Sequence, residues 1–204
     1  MKAQALISIV CALGIGFGAF ADDLNPPTWR GEASTTWQAW EFDNDTNPVT
    51  ADDGFNPYGT AVATVFGDFP YTRWKDIDNG HLGVWRFEDW ITVDVPNTDN
   101  TDPGTYKEIW IQITYSAGYG RDPELFTLPE ETTVETIAKT QLDDYYWHGT
   151  YVVRIEPNPE FETIYIEPRD CTLYVDELVV DTRCVPEPAS LLLLASCGLL
   201  IRRR

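Results

Sequence analysis

Two stretches of the chain, 88–95 (EDWITVDV) and 107–116 (KEIWIQITYS), alternate apolar and polar residues with a tryptophan inside the polar series. Read with a period of two, the first puts Ile91, Val93 and Val95 on one face and Glu88, Trp90, Thr92 and Asp94 on the other. The second divides into Ile109, Ile111, Ile113 and Tyr115 against Glu108, Trp110, Gln112 and Thr114. In a third stretch, 162–167, Tyr165 stands out of phase with Ile164 and Ile166. Flat rings edged by Gln, Thr, Asp and Glu suit sugars, whose C–H faces stack on aromatics while their hydroxyls hydrogen-bond. Trp90, Trp110 and Tyr165, with Gln112, are therefore expected to form a glycan-binding platform on one sheet face. The competing reading covers these rings with loops or cross-strand neighbours, since tryptophan is buried on average.

Other chemistry is less well marked. Asp43, Asp45 and Asn47, and again Asp76, Asp78 and Asn79, place oxygen donors close together and could wrap Ca²⁺. Neither completes a twelve-residue cation loop, and turn-forming Asx residues explain both without metal. His81 and His148 have no Cys or His partners at metal spacing, and no nucleophile motif appears. Paired carboxylates could hydrolyse a glycosidic bond, but so acidic a chain makes chance pairs inevitable. No catalytic residue is assigned, and the chain is read as a non-enzyme. Cys171 and Cys184 are the two cysteines between the chain's end segments, and an exported protein could pair them. One continuous strand between them would hold them apart; a hairpin near 176–178 would join them, but no Gly, Asn or Pro is there to turn it.

The elements that must position these residues read as strands. Besides the stretches above, 35–42, 61–66, 150–156 and 172–181 have strand character, punctuated by Gly and Pro clusters. Pro157-Asn158-Pro159-Glu160 reads as a hairpin loop between 150–156 and 162–167. The one helix-like stretch, 131–142, is Thr-rich and equally a strand. Without a βαβ rhythm, the expected fold is all-β: a β-sandwich of jelly-roll type, flanked by an N-terminal signal helix and a short C-terminal apolar helix.

The ends explain the flanks. Residues 1–21 (MKAQALISIVCALGIGFGAFA) have a basic start, an apolar run, and Ala19 and Ala21 at the −3 and −1 positions of a cleavage site, as in a secretory signal peptide. From Val185 the chain reads VPEPASLLLLASCGLLIRRR. The 13-residue apolar stretch 189–201 makes a helix of about 20 Å, short of the ~30 Å hydrocarbon core, with arginines to hold the cytoplasmic side. Pro186, Glu187, Pro188, the apolar helix and Arg202, Arg203 and Arg204 resemble the PEP-CTERM sorting signal of bacterial exported proteins. That resemblance implies recognition of the triplet by an exosortase, a membrane protease-transpeptidase that detaches the tail, in bacteria that make extracellular polysaccharide. It covers about 20 residues and implies nothing about the rest.

The expected organisation is thus a signal peptide at 1–21, a β-sandwich domain at 22–184 and a sorting signal at 185–204. The whole chain has 14 Lys and Arg against 33 Asp and Glu, a formal net charge of −19. Setting aside Lys2, Glu187 and the three terminal arginines leaves 10 basic and 32 acidic residues, a difference of −22. Such a charge excludes a nucleic-acid binder working through basic patches, and a 43% apolar content excludes a disordered acidic tail. The expected role is a glycan-binding or adhesive module, transiently anchored in the membrane and then placed at the cell surface or in the extracellular matrix. Its expected partners are the export machinery, signal peptidase, exosortase and extracellular polysaccharide. The alternative is a non-binding structural envelope or matrix protein; a glycoside hydrolase ranks behind both.

Overall fold

The computed structural model describes residues 22–97, 105–117, 121–128, 132–156, 158–159, 161–169 and 172–186. The signal segment with Ala19 and Ala21, Cys171, and the tail residues Glu187, Pro188, Arg202, Arg203 and Arg204 lie outside these. Among the described residues no helix is long and apolar enough to cross a membrane.

Among the described residues thirteen strands form two antiparallel sheets: β1 (Thr35–Trp40), β2 (Val49–Thr50), β3 (Asp53–Phe55), β4 (Val62–Val65), β5 (Arg73–Asp78), β6 (His81–Phe87), β7 (Ile91–Pro96), β8 (Thr105–Ala117), β9 (Glu124–Leu128), β10 (Thr132–Gln141), β11 (Trp147–Ile155), β12 (Phe161–Glu167) and β13 (Leu173–Pro186). The large sheet runs β10-β11-β8-β13-β1-β3, with the β5–β6 hairpin attached to β13 through β6; the small sheet runs β2-β4-β7-β12-β9. The chain crosses between sheets at most of its connections, the habit of a jelly roll, and the fold is a β-sandwich as expected.

Alternation sets the core. Ile109, Ile111 and Ile113 of β8 and Leu178 and Val180 of β13 face Ile91, Val93 and Val95 of β7 and Ile164 and Ile166 of β12, all essentially without solvent contact. Burying each such side chain stabilises the fold by about 1.5–3 kcal/mol. The same alternation sends Trp90, Trp110 and Tyr165 outward.

Several expectations are revised. Pro157-Asn158-Pro159-Glu160 does not lie in a hairpin: β11 pairs β8 and β10 in the large sheet, whereas β12 pairs β7 and β9 in the small one. Within the 131–142 stretch, Thr132–Gln141 is strand β10, where Thr, Val and Ile suit a pleated edge against β11. Of residues 76–80, the first three end strand β5 and Asn79-Gly80 make the two-residue turn into β6, with Asn79 at φ 50° and Gly80 at φ 99°, the left-handed pair that an Asn-Gly turn supplies. The Cys171–Cys184 disulfide does not fit. Strand β13 is continuous from Leu173 past Cys184, which separates those two residues by about 36 Å at ~3.3 Å per residue. The two residues back to Cys171 recover at most about 7 Å, and a bridge needs Cα atoms within about 7 Å. Cys184 is a free thiol.

Candidate functional site

The expected platform separates into two. Trp110 and Gln112 lie on β8, on the outer face of the large sheet, whereas Trp90 and Tyr165 lie on the outer face of the small sheet, across the whole core. Trp90 and Trp110 therefore do not share a face. Alternation marks a residue as outward, but not outward from which sheet.

The large sheet's outer face is covered in part, with Trp110 left half-exposed. Residues 22–30 cross it as a strap held by hydrogen bonds at Asp22, Asp23, Asn25 and Arg30. Gln112, fully buried, accepts from the Asn25 backbone N–H at 2.7 Å and donates through Nε2 to Asp23 Oδ1 at 2.5 Å. Trp110 Nε1 donates to the Asn25 carbonyl at 2.9 Å, and Asn25 Nδ2 donates to Thr150 at 3.1 Å. Arg30 closes the strap, its guanidinium over the Trp37 ring at 5.2 Å and bonded to Asp23 and to fully buried Asp181. Burial pushes the Asp181 carboxyl up to about 6 even though Arg30 pulls it down. Gln112 and the indole N–H of Trp110 are thus occupied by the protein's own strap, while the Trp110 ring stays half-exposed.

The small sheet's outer face is open and aromatic. Registers pair Val65 with Ile91 and Thr64 with Thr92, and the Phe66 N–H donates to the Trp90 carbonyl at 2.8 Å, extending that ladder by one step. Phe66 and Trp90 therefore stand side by side, ring centroids 5.5 Å apart, 40% and 36% exposed. One row along, Tyr165 pairs with Thr92 on one side and with Phe126 on the other. The Tyr165 and Phe126 rings stack at 4.8 Å with 6° between planes. Trp90 and Tyr165 are diagonal neighbours on adjacent strands, so the two stacks form one oblique strip across four strands, with cross-strand spacings of about 5–8 Å. The loop after Phe66 adds Phe69 and Tyr71, 81% and 57% exposed.

Polar groups edge the strip. Thr163 donates to Asp94 at 2.6 Å, and Glu167 sits directly opposite Glu124. Burial, then the Glu124 charge, pushes the Glu167 carboxyl above its usual range. Phe66 and Phe126, absent from the expected platform, were accessible to the same alternation: each is out of phase with a buried neighbour, Val65 or Leu125.

The Asp43, Asp45 and Asn47 donors do not converge. Both ends of the Asn47 carboxamide bind the Val65 peptide, Nδ2 to its carbonyl at 2.7 Å and Oδ1 to its N–H at 2.9 Å. Asn44 caps an Asx turn by accepting from Thr46 N–H at 3.0 Å, leaving Asp43 and Asp45 exposed. Among the described residues no three metal-ligating side chains gather.

His81 is the most elaborated titratable group. Its Nδ1 lies 2.5 Å from Asp176 Oδ2 and its Nε2 3.1 Å from Asp143 Oδ2. The ring stacks on Tyr146 at 3.8 Å, and Tyr146 donates to Asp78 at 3.0 Å. Burial depresses the imidazole pKa, but Asp176 and then Asp143 outweigh it, and the net shift is upward. With both nitrogens engaged, this cluster ties the β5–β6 hairpin to β13 and to the segment before β11.

Compared with protein-family models, curated proteins and solved structures, the chain finds no match.

Proposed function

We propose that this chain is an exported β-sandwich, delivered to the cell surface through its C-terminal sorting signal, whose small sheet presents an aromatic face to neutral polysaccharide. The observation that carries the binding half is the open strip of Phe66, Trp90, Tyr165 and Phe126, two stacked pairs in oblique continuity across the small sheet's outer face. An extended strip of rings fits the faces of successive sugars better than a single small ligand, which prefers a concave pocket. The polar edge is carboxylate-rich and the whole domain strongly negative, so anionic polymers are repelled and neutral ones favoured. The delivery half rests on the sequence of residues 1–21 and 185–204, with signal peptidase and exosortase as processing partners and the extracellular matrix or cell surface as destination.

The test is retention on neutral polysaccharides. Losing one stacking ring removes about 0.5–1.5 kcal/mol beyond area burial, so Trp90→Ala and Tyr165→Ala should each weaken retention by roughly 2–13-fold. Trp110→Ala should leave retention unchanged while lowering stability, because it unseats the strap. Equal retention by all three variants and the wild type would favour the second reading, a non-binding envelope or matrix protein in which the two stacked pairs serve only as cross-strand ties.

A further inference from the structure

At one end of the sandwich the core ceases to be apolar. Lys107 is in phase with the inward row Ile109, Ile111 and Ile113 of β8, and Glu162 with Ile164 and Ile166 of β12. Lys107 Nζ lies 2.9 Å from Glu162 Oε1, with side-chain exposures of 2% and 0%. Asn97, buried just after β7, completes the cluster: Lys107 Nζ donates to its Oδ1 at 2.9 Å. The leaving side of that amide is also held, Asn97 Nδ2 donating to the Pro159 carbonyl at 3.0 Å and to Asn158 Oδ1 at 3.4 Å. The Cys184 thiol points at Asn97 Oδ1 from 3.8 Å. Besides Lys107, the Asn97 amide and the Thr182 hydroxyl are the polar groups that stand near the Glu162 carboxyl. A buried ion pair so thinly solvated is a poor stabiliser compared with packed hydrophobic residues.

An amine, a carboxamide carbon and a carboxyl group in van der Waals contact, sealed from water, are the ingredients of amide exchange. We propose that Lys107 and Asn97 form an intramolecular amide bond, with Glu162 as the proton carrier. Lys107 passes a proton to the Glu162 carboxylate, and the neutral Nζ adds to Cγ of Asn97 as the carbonyl electron pair moves onto Oδ1. The tetrahedral centre collapses, the Cγ–Nδ2 bond breaks, and Nδ2 leaves as ammonia. That ammonia carries its own two hydrogens and one relayed by Glu162 from the attacking nitrogen. Glu162 retains the first proton until solvent removes it, so the step needs no oxidant, reductant or co-reactant. Burial pushes the Glu162 carboxyl upward against the pull of Lys107, which suits a group that must hold a proton. With Nζ 2.9 Å from Oδ1, Cγ is within about 4.1 Å, close to a reactive approach of ~3–3.5 Å. The product bond ties the end of β7, in the small sheet, to the start of β8, in the large one.

Tryptic mapping of the folded full chain by mass spectrometry tests this. The linked protein should resist cleavage after Lys107 and yield peptide 87–121 about 17 Da light, the mass of lost ammonia, with no backbone fragments separated between Asn97 and Lys107. Lys107→Arg and Glu162→Gln should restore the full mass. Normal cleavage and an unshifted mass in the wild type would overturn the proposal even if the variants fail to fold. A light peptide that persists in Lys107→Arg would overturn it equally, since asparagine cyclisation alone loses the same ammonia.

Discussion

Cleavage before Asp22 would turn the Asp22 nitrogen from a peptide N–H into an α-ammonium, and that nitrogen already donates to the half-buried carboxylate of Glu177. In the uncut chain Glu177 is poorly served. Burial pushes its carboxyl up to about 8; the Asp22 N–H opposes this, while the charges of Asp22, Asp176 and Glu41 add to it. A raised carboxyl pKa means that the folded state binds the proton more tightly. The uncut chain is therefore stabilised as pH falls from about 8 towards the unfolded value near 4.5. An ammonium at Asp22 supplies the missing charge and pulls that carboxyl down. Hydrogen bonds to charged groups net about 1.5–3 kcal/mol, and a protein of this size moves about 2–4 °C per kcal/mol, so maturation should raise Tm by roughly 3–12 °C near neutral pH. The assay compares a chain beginning at Asp22, the same chain N-acetylated, and one retaining residues 18–21, by thermal melts at about pH 7.5 and about pH 5. The free terminus should be the most stable at the higher pH, with the gap shrinking at the lower one because the proton that Glu177 holds in the other two forms stabilises their folded state progressively until the unfolded chain takes it up near 4.5. Equal melting of all three at the higher pH, or a gap indifferent to pH, would refute the reasoning.

Two further outcomes follow from local geometry. Gly83 holds φ 73° in β6, and a Cβ there would lie 2.6 Å from the Phe42 carbonyl oxygen; Gly83→Ala should therefore destabilise by about 2–3 kcal/mol in chemical denaturation. His81, its pKa raised by Asp176 and Asp143 against the cost of burial, contributes stability that is fully present below about 6.5 and fades as pH rises through its folded value. The stability lost in His81→Gln, followed by melts across that window, should accordingly be largest in mild acid and diminish towards alkaline pH.

Much of the sandwich was legible because alternation is a local signal. The isoleucine rows at 109–113 and 164–166 mark the core directly, and the Thr-rich 131–142 stretch needed only a neighbouring strand to choose between its two readings. Which sheet a strand joins is not local. Trp90 and Trp110 have the same sequence context yet face opposite ways, because β7 pairs with β4 and β12 while β8 pairs with β11 and β13. The strap over Trp110 was equally invisible: residues 22–30 have no period, and their backbone and side chains bond to side chains some 85 to 151 positions away. Lys107 and Glu162 could have been found, since each continues an aliphatic row in phase, but a charge at the end of a strand ordinarily marks its exit to solvent. The Asn79-Gly80 turn carried its own signature and was obscured by the acidic residues around it.

The central claim is that the small sheet's outer face is where carbohydrate binds, and carbene footprinting with and without a neutral polysaccharide addresses it most directly. The account predicts protection of Phe66, Trp90, Phe126 and Tyr165, with the strap at residues 22–30 and the Trp110 face labelled equally in both states. Protection confined to the large-sheet face, or no protection with any neutral polysaccharide, would contradict it.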